Sequence, residues 1–123
     1  LWVSNSYEKK ESLNPGIGAN VLRIKDFTSG RSEVLFEEKR TNITGILPLK
    51  DSLYVGLWGA YRLILKVDLN SGRSAEIKGT KSSLGVPYGL FFDTKSKKIL
   101  SACFGDLKLS EMKGGILTIN PDR

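Results

Sequence analysis

The chain has 123 residues, 40% apolar and 26% charged, with 19 Lys and Arg against 13 Asp and Glu for a net charge of +6. That is the size of one ordinary domain and the balance of a folded soluble protein. Histidine is absent and Cys103 is the one cysteine, which excludes Ser-His-Asp and Cys-His catalysis by these residues alone, every His-containing zinc site and any internal disulfide.

No apolar run approaches a membrane span, and the start does not read as a signal peptide. The chain begins at Leu1 without methionine, as a processed or partial chain does. Its basic residues, among them Lys9, Lys10, Lys39, Arg40, Lys50, Lys66, Lys97, Lys98 and Lys108, are scattered through turns and alternate strand positions. No cluster is interleaved with aromatics, which argues against nucleic acid and for solvation and guarded strand edges. Glutamine is absent while lysine and glutamate are frequent, a bias that fits a heat-adapted source. Cys103, in ILSACFG, reads as a small buried hydrophobe.

In chain order, LWVSN (Leu1 to Asn5) is a first strand, followed by a long connection, SYEKKESLNPGIGAN (Ser6 to Asn20). LRIKDFTSGRS (Leu22 to Ser32) then places alternating apolar residues before a Ser-Gly turn, where glycine takes a positive φ cheaply and the next strand begins at once. TGILPL (Thr44 to Leu49), the turn at Lys50 and LYVGL (Leu53 to Leu57) make a hairpin, and the tight WGAYR (Trp58 to Arg62) leads to LKVDLNSGRS (Leu65 to Ser74). That last segment repeats the earlier Ser-Gly segment, which carries one extra residue before its turn. YGLFFD (Tyr88 to Asp93), a DTKSKK turn and ILSAC (Ile99 to Cys103) form another hairpin; GDLKLSEMKG (Gly105 to Gly114) is a long connection, and LTINPDR (Leu117 to Arg123) begins a third copy. No stretch carries a helical period with caps, and the β-branched and aromatic content is strand-like.

With the strand positions of one unit labelled A to D, residues 1–37 read B-C-D, 43–79 read A-B-C-D and 86–123 read A-B-C. Four short antiparallel strands repeating at about 42 to 46 residues predict an all-β chain of β-propeller blades. A sandwich also gives short strands, but does not require a unit that repeats its own turn chemistry. About two and a half blades do not close a ring. The expected partners are therefore the remaining blades of a longer propeller or other copies of the chain.

VPYGLFFDTKSKKILSACFG resembles the Pro-x-Gly-apolar, Asp, turn, strand pattern of NHL, YVTN and SMP-30/gluconolactonase-like propellers. DSLYVG with LILKVDLNSGR, and LWVSN with NVLRIKDFTSGR, are similar to that pattern and to the blades of sensor-kinase periplasmic propellers. No Gly-His or Trp-Asp signature of WD40 blades is present. The resemblance implies either a scaffold that binds or senses a protein or small molecule, or part of a metal-dependent lactonase-like hydrolase holding a calcium-type cation. It also implies an extracellular or periplasmic setting. In the hydrolases an asparagine often follows the proline entering strand A; here Tyr88 follows Pro87, and Thr44 stands before Gly45 with no proline.

Long B-C connections place the expected binding surface on the face they share with the D-A connections. Its candidates are Asn5, Trp58, Phe104 and Asp106 at the ends of B strands, with Asn42 and Tyr88 entering A strands. Trp58 and Phe104 hold matching repeat positions, which suits packing between blades as well as stacking on a ligand. Asn5 and Asp106 are oxygen donors of the kind a hard cation prefers, and equally turn-stabilising groups. No catalytic residue is assigned: Glu37 and Glu38 straddle opposite faces of a strand and cannot converge on one bond. GIG at Gly16 has no following helix to make it a phosphate loop. NIT at Asn42 matches a glycosylation sequon, and Asp26 and Asp68 read as structural turn residues.

Overall fold

The computed structural model describes residues 2–8, 17–26, 28–39, 41–58, 63–77, 86–104 and 114–121. These form ten strands: β1 (Trp2–Glu8), β2 (Ile17–Asp26), β3 (Arg31–Glu38), β4 (Ile43–Leu49), β5 (Ser52–Leu57), β6 (Ile64–Asp68), β7 (Ser74–Glu76), β8 (Val86–Asp93), β9 (Lys98–Phe104) and β10 (Gly115–Ile119). The chain is all-β, and every pairing joins sequence neighbours in antiparallel fashion. A first sheet holds β1-β2-β3, a middle sheet β4-β5-β6-β7 and a third sheet β8-β9-β10. No helix among the described residues is long and apolar enough to cross a membrane.

The middle sheet is covered on both faces, and strand alternation decides which residue goes where. Leu53, Val55 and Leu57 of β5, with Leu65 and Val67 of β6, meet Val21, Phe36 and Trp2 of the first sheet. The intervening Tyr54 and Ile64 point the other way, against Ile99, Leu90, Phe92 and Ile119 of the third sheet. Each fully buried aliphatic side chain contributes on the order of 2 kcal/mol. In β4 the parity changes partway: Ile43 and Ile46 join the first core while Leu47 and Leu49 join the second. The cause is a β-bulge. Ile43 pairs with Leu57 and Gly45 with Gly56, so Thr44 is an extra residue. The third sheet has the same device, with Pro87 paired to Cys103 and Gly89 to Ala102, leaving Tyr88 as the extra residue.

The extra residue of the first Ser-Gly copy is absorbed in the same manner. Ile24 pairs with Ser32 and Asp26 with Arg31, so Lys25 bulges out of β2. The turns share a bond from the arginine N–H to the serine hydroxyl oxygen, Arg31 to Ser29 at 3.4 Å and Arg73 to Ser71 at 3.3 Å. The backbone N–H groups of Asn70 and Ser71 both donate to Asp68 Oδ1 at 2.8 Å, and Gly72 N–H donates to the Asp68 carbonyl at 2.8 Å. Gly72 has φ +73, and Gly30 in the earlier copy has φ +71, values that cost glycine nothing.

Pairing also relates the sheets residue by residue. Val21 lies opposite Ser4, Ile64 opposite Gly56 and Ile116 opposite Ala102. Val21 and Ile64 are 0% exposed, each closing the junction to the next sheet, whereas Ile116 is 62% exposed on the outer face of the third. One correction concerns Asn5. It does not end a strand: β1 runs on to Glu8, and Ser6, Tyr7 and Glu8 pair with Ala19, Gly18 and Ile17. Much of the expected long connection after Asn5 is thus a continued hairpin.

Candidate functional site

Three of the residues singled out from the sequence meet at one end of the junction between the middle and third sheets. Trp58 follows the last residue of β5, Phe104 ends β9, and Tyr88 projects from the β8 bulge between them. The Trp58 and Tyr88 rings lie edge to face with centroids 5.6 Å apart, and Tyr88 and Phe104 follow at 5.9 Å. All three remain accessible, at 40%, 47% and 61% exposure. Contacts of this geometry hold aromatic rings in a fixed relation while leaving their outer faces and edges open.

The backbone beneath the row is tied down. Trp58 N–H donates to the Asn42 carbonyl at 3.0 Å, and the Thr41 hydroxyl donates to the Trp58 carbonyl at 3.2 Å. Asn42 is half-buried, and its Oδ1 is sealed from solvent without a hydrogen-bond donor among the described residues. Thus Asn42 joins the aromatic residues, as a support for Trp58. Asn5 sits in the middle of β1 in the first sheet, its backbone opposite Asn20, and Asp106 lies outside the described residues.

Close approach of the two sheets is made possible beside this row. A β-carbon at Gly56 would meet Thr44 Oγ1 at 2.9 Å and the Pro87 carbonyl at 3.2 Å. The Thr44 hydroxyl donates to that same Pro87 carbonyl, which ties β4 to β8. Thr41 and Thr44 were not apparent as contributors from the sequence. The signal available for Thr44 was its place before Gly45, the same place that Tyr88 has before Gly89.

Chemically the row offers apolar and π surfaces rather than acid or base groups. The nearest nucleophile in sequence, Cys103, is buried, and loss of hydration raises its thiol above the ordinary value of 9.0. Its S–H points to the Ser101 carbonyl at 3.8 Å. Among the described residues no three Asp, Glu, His or Cys side chains gather closely enough to hold a metal ion. Compared with protein-family models, with curated proteins and with solved structures, the chain matches none.

Proposed function

We propose that the chain forms blades of a β-propeller that binds or senses a protein or small-molecule ligand at the end where Trp58, Tyr88 and Phe104 line up. The blade reading is supported by the stepwise junctions: matched positions of successive sheets close successive cores, and short antiparallel units of this kind stack around an axis in propellers. Binding rather than catalysis is carried by one observation, an ordered row of large aromatic side chains left exposed on a pinned backbone. Exposed aromatics fixed in position are the residues that most often anchor a partner. Sensing would follow from occupancy of the row.

The test is a Trp58→Ala, Tyr88→Ala double variant. Both rings are substantially exposed, so the stability change is expected to stay within about 1 kcal/mol. Partners captured from extract by the unaltered protein and by the variant are compared by mass spectrometry. The reading expects a partner that is retained by the first and lost by the second. If every retained partner binds both equally, the aromatic row is not the binding surface.

A further inference from the structure

The opposite end of the same junction carries a second feature. A cleft of about 480 Å³ opens between the middle and third sheets, with Lys50, Lys66 and Lys97 in its lining. The three lysines come from three separate places: the β4–β5 turn, strand β6 and the β8–β9 turn. Asp51 also lines the cleft, which leaves it net positive. Among the described residues no carboxylate lies within ion-pair distance of any of the three lysines. Tyr54 and Phe92 supply apolar wall, and the Lys66 ammonium lies 5.9 Å from the Tyr54 ring centre. The Tyr54 hydroxyl donates to the Pro121 carbonyl at 3.2 Å, which fixes that ring.

Two of these lysines occupy backbone conformations that favour glycine. Lys50 has φ 54 and Lys97 has φ 60. The Lys97 case can be compared within the molecule. Asp93 accepts N–H bonds from Lys95 and Ser96, and Lys97 N–H donates to the Asp93 carbonyl at 2.9 Å. This is the construction seen at Asp68, where the residue in the same place is Gly72. Lysine therefore sits where a sister turn uses glycine, against a steric preference, and its side chain reaches the cleft. Strain of this kind is tolerated where the side chain has a use.

We infer that the cleft binds a small molecule bearing two or more closely spaced oxyanion charges. Lysines are point charges without the planar fork of arginine, so phosphate and carboxylate groups are both accommodated. The volume is within the range of small-molecule sites. The inference is independent of the aromatic row, which lies at the other end of the junction.

Pyrophosphate and citrate are the probes, titrated separately into the protein at moderate salt and followed by calorimetry and by amide chemical shifts. One saturable site is expected for at least one probe, with shifts centred on Tyr54, Lys66 and Lys97. The probe that binds identifies the oxyanion class. Lys66→Gln and Lys97→Gly are each expected to weaken binding by about tenfold or more. The Lys97→Gly protein should be no less stable than the original, because glycine suits that backbone. Lys95→Gln removes a charge from the same turn outside the cleft lining and is expected to change affinity by less than about twofold. Absence of saturable binding by both probes overturns the inference. So does a loss in Lys95→Gln equal to that in Lys97→Gly, which would mark a diffuse charge effect.

Discussion

Gly56 shows how much of the architecture rests on single atoms. A methyl group there would press on the Thr44 hydroxyl and the Pro87 carbonyl, one of them backbone, so little can yield. Gly56→Ala is expected to destabilise by about 2 kcal/mol in urea titration. The matching Ala102 carries its methyl on an exposed surface, so Ala102→Gly should cost less. Asp68 and Asp93 set a different dependence. The Ser71 and Asn70 N–H groups hold the Asp68 carboxyl below its ordinary value of 3.8, and the Ser96 hydroxyl with the Lys95 and Ser96 N–H groups lowers Asp93 likewise. A carboxyl lowered in the folded state adds stability that is complete above its unfolded value and is lost as pH falls through the folded one. Relative to an Asp68→Asn, Asp93→Asn variant, the unaltered protein should therefore lose its advantage in melting temperature below about pH 4. Asp68 was legible as a turn residue because aspartate before Asn-Ser-Gly has one common use. Lys50 and Lys97 were not, since nothing local distinguishes a lysine with positive φ from one that simply faces water.

At the scale of the strand, the alternation in β5 and β6 was readable because both faces of that sheet are covered and every second apolar residue has its own core. The extra residue in LRIKDFTSGRS was readable too, and it is the Lys25 bulge. What the pattern concealed was the length of β1. SYE is polar, and its pairing to Ile17, Gly18 and Ala19 is made by backbone groups that leave no trace in side-chain periodicity. Asn5 was consequently placed at a strand end, and of the candidates among the described residues Asn42, Trp58, Tyr88 and Phe104 gather. Strand β9 supports a further prediction. Ile99, Ser101 and Cys103 point into the protein from alternate positions. Modification of Cys103 by a thiol reagent near neutral pH should be slower than in urea by more than about tenfold. A rate equal to that of the unfolded chain would mean that β9 opens freely.

For the molecule as a whole, the middle sheet has a neighbour on each side, whereas the outer face of the third exposes Phe91 and Ile116. Exposed apolar surface of this kind drives association. The chain by itself is expected to sediment with a weight-average mass that rises with concentration, and Ile116→Lys should reduce that rise. An unchanged concentration dependence would show that another surface is responsible. The stepwise resemblance of the sheets was legible from repeated turns and matched small residues. The aromatic row was less so, because it depends on how far adjacent sheets are offset, and sequence periodicity carries no measure of that offset. The paired bulges have a broader consequence. Thr44 and Tyr88 occupy the same kind of slot, outside the regular strand ladder, yet one fastens two neighbours and the other displays a ring. Such a slot is an interchangeable port: mutation can turn a fastener into a recognition element, unit by unit, while the frame that carries it stays unaltered.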